Sequence, residues 1–214
     1  MRLGISTGKE LWAFAQECRD RLKSDHGLTF HPSTSADDFM RTIAFVRGEK
    51  TNLTSPFHPS YSVLNETNFW WSKLCDENGG TVAYTSHRLI QTDDFVEDYA
   101  LGKVFANGAP NLDIELPELI DNPKIPPISG NILFAGGFWI SEKRREEGIA
   151  RIYSPMGQAL SLIKFSWDYF VILQRIDEVY KKREKLGYGV NRSEPLASGI
   201  YWPYGNELDI AIDW

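Results

Sequence analysis

At 214 residues, with 42% hydrophobic and 24% charged side chains, the chain suits one well-buried core and is short for two ordinary domains. A formal net charge of −6 has the wrong sign for the basic footprint of a nucleic-acid binder, so no nucleic-acid partner is expected, while a local basic site for a phosphorylated cofactor stays open. Two cysteines, Cys18 and Cys75, form neither a disulfide framework nor a metal set, and the four histidines lack ligand spacing, so no metal centre is expected. The opening Met1-Arg2-Leu3-Gly4-Ile5 lacks a signal-peptide core, and no run reaches the ~18 apolar residues of a membrane span. The expectation is a cytoplasmic protein without a membrane partner.

In chain order, Thr7 and Glu10 can form a capping box. Beyond them Leu11, Phe14, Ala15, Cys18 and Leu22 recur at helical spacing until His26-Gly27. A second helix starts at Ser35, before Asp37-Asp38, with Phe39, Ile43, Ala44 and Val46 on one side and Gly48 at its end. The first sixty residues thus read as helical, and 51–62, with Pro56 and Pro59, as an irregular connector. From Asn68 the period changes: 69–74 and 81–90 are β-like runs joined by Asp76-Glu77-Asn78-Gly79-Gly80, a hairpin signal. The stretch 95–105 is ambiguous. The next, 108–129, carries five prolines and reads as a long loop with one short helix near 115–120.

Residues 131–140, NILFAGGFWI, are an apolar run whose central Gly136-Gly137 suggests a buried strand with a bulge. A charged turn follows, then Ile149, Ile152, Met156, Leu160 and Ile163 at helical spacing. Pro155 falls inside this helix, and Ser154-Pro155 is itself a good helix start, so a kink or a second beginning is expected there. A short strand at 169–173, a charged helix at 177–186 ending on Gly187, and strands near 198–202 and 207–214 complete the chain.

A strand that runs into a glycine turn and then a helix leaves backbone N–H groups unpaired at the positive end of the helix dipole. Gly148 allows close approach of an anion, and Ala150 keeps the following position small. Lys143, Arg144, Arg145 and Arg151 stand against Glu142, Glu146 and Glu147, a sum of only +1, so backbone groups must do most of the anion binding.

The segment Trp139 to Arg151, WISEKRREEGIAR, resembles the acyl-CoA signature of the GNAT superfamily of N-acetyltransferases, in which a strand ends and Arg/Gln-x-x-Gly-x-Gly/Ala leads into a helix. Arg145, Gly148 and Ala150 fill those positions, and Lys185-Leu186-Gly187-Tyr188 looks like the family's closing-helix end. The order of elements agrees from 68 to 214. The resemblance implies an α/β (α+β) fold: a mixed, mostly antiparallel central sheet, flanked by helices and splayed between the strands at 131–140 and 169–173. It implies one domain over 1–214, with a helical N-terminal region at 1–67 and a CoA-binding core at 68–214. Acetyl-CoA or another acyl-CoA would lie along Phe138, Trp139 and Ile140, with its pyrophosphate at Arg145, Glu146, Glu147, Gly148, Ile149, Ala150 and Arg151. The implied activity is direct acyl transfer to an amine of a small-molecule or protein acceptor, by a monomer or a homodimer.

Two departures bear on that activity. Glu146 and Glu147 place negative charge beside the phosphate site, and Arg183 and Glu184 stand where many members carry a Tyr general acid. Tyr180 and Tyr188 are the candidate proton donors, against aromatic packing with a surface hydroxyl. His87 is the candidate base, against a hydrogen-bonded structural histidine. A non-catalytic relative that binds CoA or a partner protein is the competing reading.

Overall fold

The computed structural model describes residues 8–47, 55–104, 118–119, 123–175, 193–198, 200–201, 206–207 and 210–213. Helix α1 (Gly8–His26) buries the predicted stripe Ala15, Cys18 and Leu22 and stops at Gly27, whose φ of 68° suits glycine. Thr7, the proposed cap, lies outside the described residues. The five residues that follow form strand β1 (Thr29–Ser33), where the sequence reads as helical. β1 is an edge strand, antiparallel to β2 (Phe69–Cys75), so Pro32 is tolerated. With only Phe30 and Ser33 half-buried, it carries no apolar alternation to announce it. Helix α2 (Ala36–Arg47) begins as expected, with the Ser35 hydroxyl accepting from the Asp38 amide at 3.1 Å.

A 3-10 turn, η1 (Ser55–Phe57), precedes the hairpin of β2 and β3 (Thr81–Thr92). Its turn is closed by Asp76, whose Oδ1 accepts from the amides of Asn78 (2.9 Å) and Gly80 (2.8 Å). The ambiguous stretch after β3 contains α3 (Phe95–Ala100), capped by Asp94. Where a short helix was expected near 115–120, the described residues Glu118–Leu119 form β4, antiparallel to β7 (Ser193–Ser198). Two residues are too few for a period to register, and pairing with a distant strand decides their conformation. The rest of the proline-rich stretch from 108 to 122 lies outside the described residues.

β5 (Gly130–Ile140) runs into a second 3-10 turn, η2 (Glu142–Arg144), and then into α4 (Ile149–Lys164). β6 (Tyr169–Arg175), β8 (Ile200–Tyr201), β9 (Asn206–Glu207) and β10 (Ile210–Asp213) follow. α4 continues through Pro155 as one helix, not two. Proline removes one intrahelical donor, but the helix is held on both sides of it. Ile152, Tyr153 and Met156 are buried against α1 and the sheet, which offsets the lost bond.

The main sheet has the order β1-β2-β3-β5-β6-β10-β7-β4. It is open, and every neighbouring pair is antiparallel except β5–β6. β8 and β9 form a separate ladder. Side-chain alternation divides the core. Phe69, Trp71, Tyr84, Ile132 and Phe134 pack with α2, η1 and α3, whereas Leu74 and Ala83 pack with α1 and α4. Among the described residues no helix is long and apolar enough to cross a membrane.

Candidate functional site

β5 is held differently on its two edges. Against β3 it pairs from Gly130 to Ile140. Against β6 it pairs only from Ile132 to Ala135, and β6 goes on to pair with β10. Over 136–140 the edge of β5 that faces β6 has no strand partner among the described residues. Burial follows the pairing: 132–135 are buried, and 136–140 only partly so. Phe138 packs on Tyr153 of α4 (5.9 Å between rings), while Trp139 stacks on Tyr84 from the opposite face (5.4 Å). The two aromatic residues thus lie on opposite faces of the strand, Phe138 toward α4 and Trp139 over Tyr84 of β3.

The bulge predicted at the paired glycines is present. Ser86 pairs with Gly136 and Tyr84 with Trp139, leaving Gly137 and Phe138 opposite Thr85 alone. Gly137 takes a φ of 59°, and the Ser86 hydroxyl donates to the Gly136 carbonyl at 2.9 Å. Gly136 is needed for space: a Cβ there would lie 2.5 Å from the Phe57 ring, which itself stacks on Phe134 at 5.5 Å. Phe57 and Ser86 are parts of the site that sequence reading missed. Their only signals were an aromatic residue in an irregular connector and a polar residue inside an apolar strand.

At the end of β5 the Ser141 amide donates to the Val82 carbonyl (2.8 Å), and the chain turns through η2. Glu146 has a φ of 78°, the single non-glycine with positive φ among the described residues. Gly148 (φ 80°, ψ 5°) precedes Ile149 as the helix cap, with no side-chain cap bond. A left-handed residue followed by a right-handed one turns successive amides toward one point, a concave anion nest. Among the described residues the amides of Gly148, Ile149 and Ala150 have no hydrogen-bond partner.

The side chains of the loop are largely engaged with each other. Arg144 Nε donates to both carboxylate oxygens of Glu147 (2.6 and 2.8 Å), and its Nη2 donates to the His26 carbonyl (3.0 Å). Arg145 folds back, donating to the Ile140 carbonyl at 3.3 Å and lying 3.5 Å from Glu142. The structure therefore gathers Phe138, Trp139, Ile140 and the loop from Arg145 to Arg151 at one end of β5, with Ile149 and Ala150 buried beneath the helix start.

Of the residues proposed for proton transfer, His87 is not gathered with them. His87 is buried in the layer between the sheet and α4, stacked on Trp70 at 4.8 Å; a Cβ on Gly157 would lie 3.0 Å from its ring. Its Nδ1 has no hydrogen-bond partner among the described residues, so the hydrogen-bonded alternative finds no support at that atom. Burial lowers its pKa to about 3 and keeps the ring neutral. Tyr180 and Tyr188 lie outside the described residues. Tyr153 of α4, which sequence reading did not single out, is sealed. Its hydroxyl donates to the Ser72 carbonyl at 2.8 Å, and burial pushes its pKa up. Among the described residues no cluster of His, Cys, Asp and Glu could hold a metal ion.

No family model matches this chain, and no curated protein matches it in sequence. Several solved structures overlap with it at low identity. Arabidopsis thaliana NAA60 in complex with acetyl-CoA overlaps at a TM-score of 0.48 and 10% identity, over 87% of this chain and 96% of that one. A GNAT superfamily phosphinothricin acetyltransferase from Sinorhizobium meliloti in complex with AcCoA gives 0.44 and 12%, over 87% and 86%. The aminoglycoside acetyltransferase meta-AAC0020 from an uncultured soil metagenomic sample, in complex with sisomicin, gives 0.42 and 10%, over 77% and 88%. At such scores and identities these overlaps say nothing of chemistry. The sheet is open and mostly antiparallel, β5 leads through the loop into α4, and β5 parts from β6, which is the α/β arrangement that the sequence resemblance leads one to expect.

Proposed function

We propose that this protein is an acyl-CoA-dependent N-acyltransferase that transfers acetyl from acetyl-CoA directly to an amine. The observation that carries this reading is the juxtaposition at the end of β5. A strand edge at 136–140 that no described strand pairs on the β6 side leads into a turn whose open amides at Gly148, Ile149 and Ala150 cap a 16-residue helix. An extended amide-bearing arm such as pantetheine can pair with a free strand edge as another strand would. The pyrophosphate then meets the helix start, where backbone donors and the dipole favour an anion. A backbone N–H near Phe138 serves as the donor to the thioester oxygen as charge develops on it.

In the transfer itself the acceptor amine, with a pKa of ~10.4 if lysine-like, must lose a proton before it attacks the thioester carbonyl. The tetrahedral intermediate then expels the CoA thiolate, which takes a proton. Tyr180 or Tyr188 is proposed as that donor and a water chain as the base, since His87 is 3% exposed beneath α4. Calorimetric titration with acetyl-CoA, followed by thiol release across a panel of amines, tests the reading. Saturable binding and amine-dependent release are expected. Absence of binding at millimolar acetyl-CoA would sink the assignment, and binding without release for any amine would return the non-catalytic alternative.

A further inference from the structure

Glu147 sits immediately before Gly148, so on charge alone it should repel the pyrophosphate proposed to bind there. Its surroundings give it another task. Both of its carboxylate oxygens accept from Arg144 Nε, at 2.6 and 2.8 Å, and His26 Nδ1 lies 3.7 Å from Oε2. Arg144 Nη2 in turn donates to the carbonyl of His26, the last residue of α1, at 3.0 Å. The pair closes a four-residue ring of chain from 144 to 147. Inside that ring Glu146 takes the left-handed conformation, φ 78°. Side chains other than glycine avoid that conformation, and it persists where the surroundings hold it.

We infer that Arg144 and Glu147 are positioning residues for the cofactor loop. Their ion pair, anchored to the end of α1, holds the turn at Glu146 and with it the open amides of 148–150. Arg144 Nε and Nη2 are engaged with Glu147 and His26, so its place in the site is to hold the loop. α1, although remote in sequence, becomes part of the cofactor site. The inference rests on the acyl-CoA reading above and deepens it.

Bare electrostatics and positioning predict opposite signs for Glu147→Gln. Removing a negative charge beside an anion should tighten binding, whereas removing the clamp should loosen it. We expect Glu147→Gln to weaken acetyl-CoA binding by about fivefold, the upper range for a half-exposed pair. Arg144→Gln should weaken it at least as much, and the double variant no more than Arg144→Gln, because one interaction is lost. The melting temperature without ligand should stay near that of the wild type. Hydrogen exchange of the amides at 145–150 in ligand-free protein provides a second readout, and it should quicken in both single variants. Unchanged or tighter binding by Glu147→Gln, or unchanged exchange, would overturn the positioning role. Wild-type protein that binds no acetyl-CoA would instead overturn the reading of the site.

Discussion

The two edges of β5 carry the same residues and meet opposite fates. Toward β3 the strand is paired along its whole length, with a bulge at Gly137 and Phe138; toward β6 the pairing ends at Ala135. An unpaired strand edge is ordinarily a liability, because its amides invite another strand. Here it persists inside a sheet because β3 holds the other edge and packing on both faces fixes the strand's course. The gap belongs to one edge of a well-held strand and is no sign of a weak one.

The harshest way to break that asymmetry is to force the bulge apart. Gly136→Val puts a side chain 2.5 Å from the Phe57 ring at its first atom, so the connector or the strand must move. We expect a loss of about 3 kcal/mol in urea unfolding, and a double variant with Phe57→Ala that is less destabilised than the sum of the two single variants, since truncating the buried ring is itself costly. Full additivity of the two would show that the contact does not shape the strand.

Gly148→Asp leaves the strand alone and acts where the open edge ends. Nothing lies within 4 Å of a Cβ at Gly148, and aspartate tolerates its φ of 80° better than most residues, so the fold should survive. The ligand-induced stabilisation, about 2.7 kcal/mol at a hundredfold excess of acetyl-CoA over Kd, should vanish. A thermal shift equal to that of the wild type would remove the loop from the cofactor site.

The smallest effect concerns the last fully paired position. His87 lies opposite Ala135, where β5 and β6 part. Burial lowers its folded pKa from 6.5 to about 3, so the native state holds the ring neutral while the unfolded chain takes up a proton below pH 6.5. Its contribution is fully present above pH 6.5 and is lost as pH falls toward 3. Between pH 7 and pH 5 the difference amounts to about 2 kcal/mol. His87→Leu should flatten that part of the urea midpoint against pH. An equally steep curve in the variant would assign the acid sensitivity to other groups.

The same contrast explains what could be read from the sequence. The β2–β3 hairpin, β5, α4 and β6 each advertise themselves through apolar runs, the Asp76 turn or helical spacing, because one element's burial leaves its mark on that element's residues. The two glycines at 136 and 137 marked the bulge for a similar reason. β1 did not show itself, since Thr29-Phe30-His31-Pro32-Ser33 is a mostly exposed edge with almost nothing to bury. The parting of β5 from β6 is expected only through the family resemblance: a missing partner is a property of two strands and leaves no residue signature on either. The pairing of Glu147 with Arg144 was hidden in the same way. In the sequence both are loop charges, and only the arrival of α1's last carbonyl gives them a shared geometry.

One more feature of α4 governs how the site can behave. Its Tyr153 is bonded to Ser72 of β2, and its Ser161 accepts from the Trp70 indole of the same strand at 2.8 Å. Those fastenings are eight residues apart along α4, or about 12 Å of helix. A rod pinned at two points can neither slide nor roll, and a shift of one helical turn would break both bonds at once. The start of α4 is thereby indexed against β2, two strands away from β5, so the sheet sets the distance between the amides of the loop and the free edge before any ligand arrives. Adjustment on binding must then come from the ligand side of the gap, or from β6 and the strands beyond it.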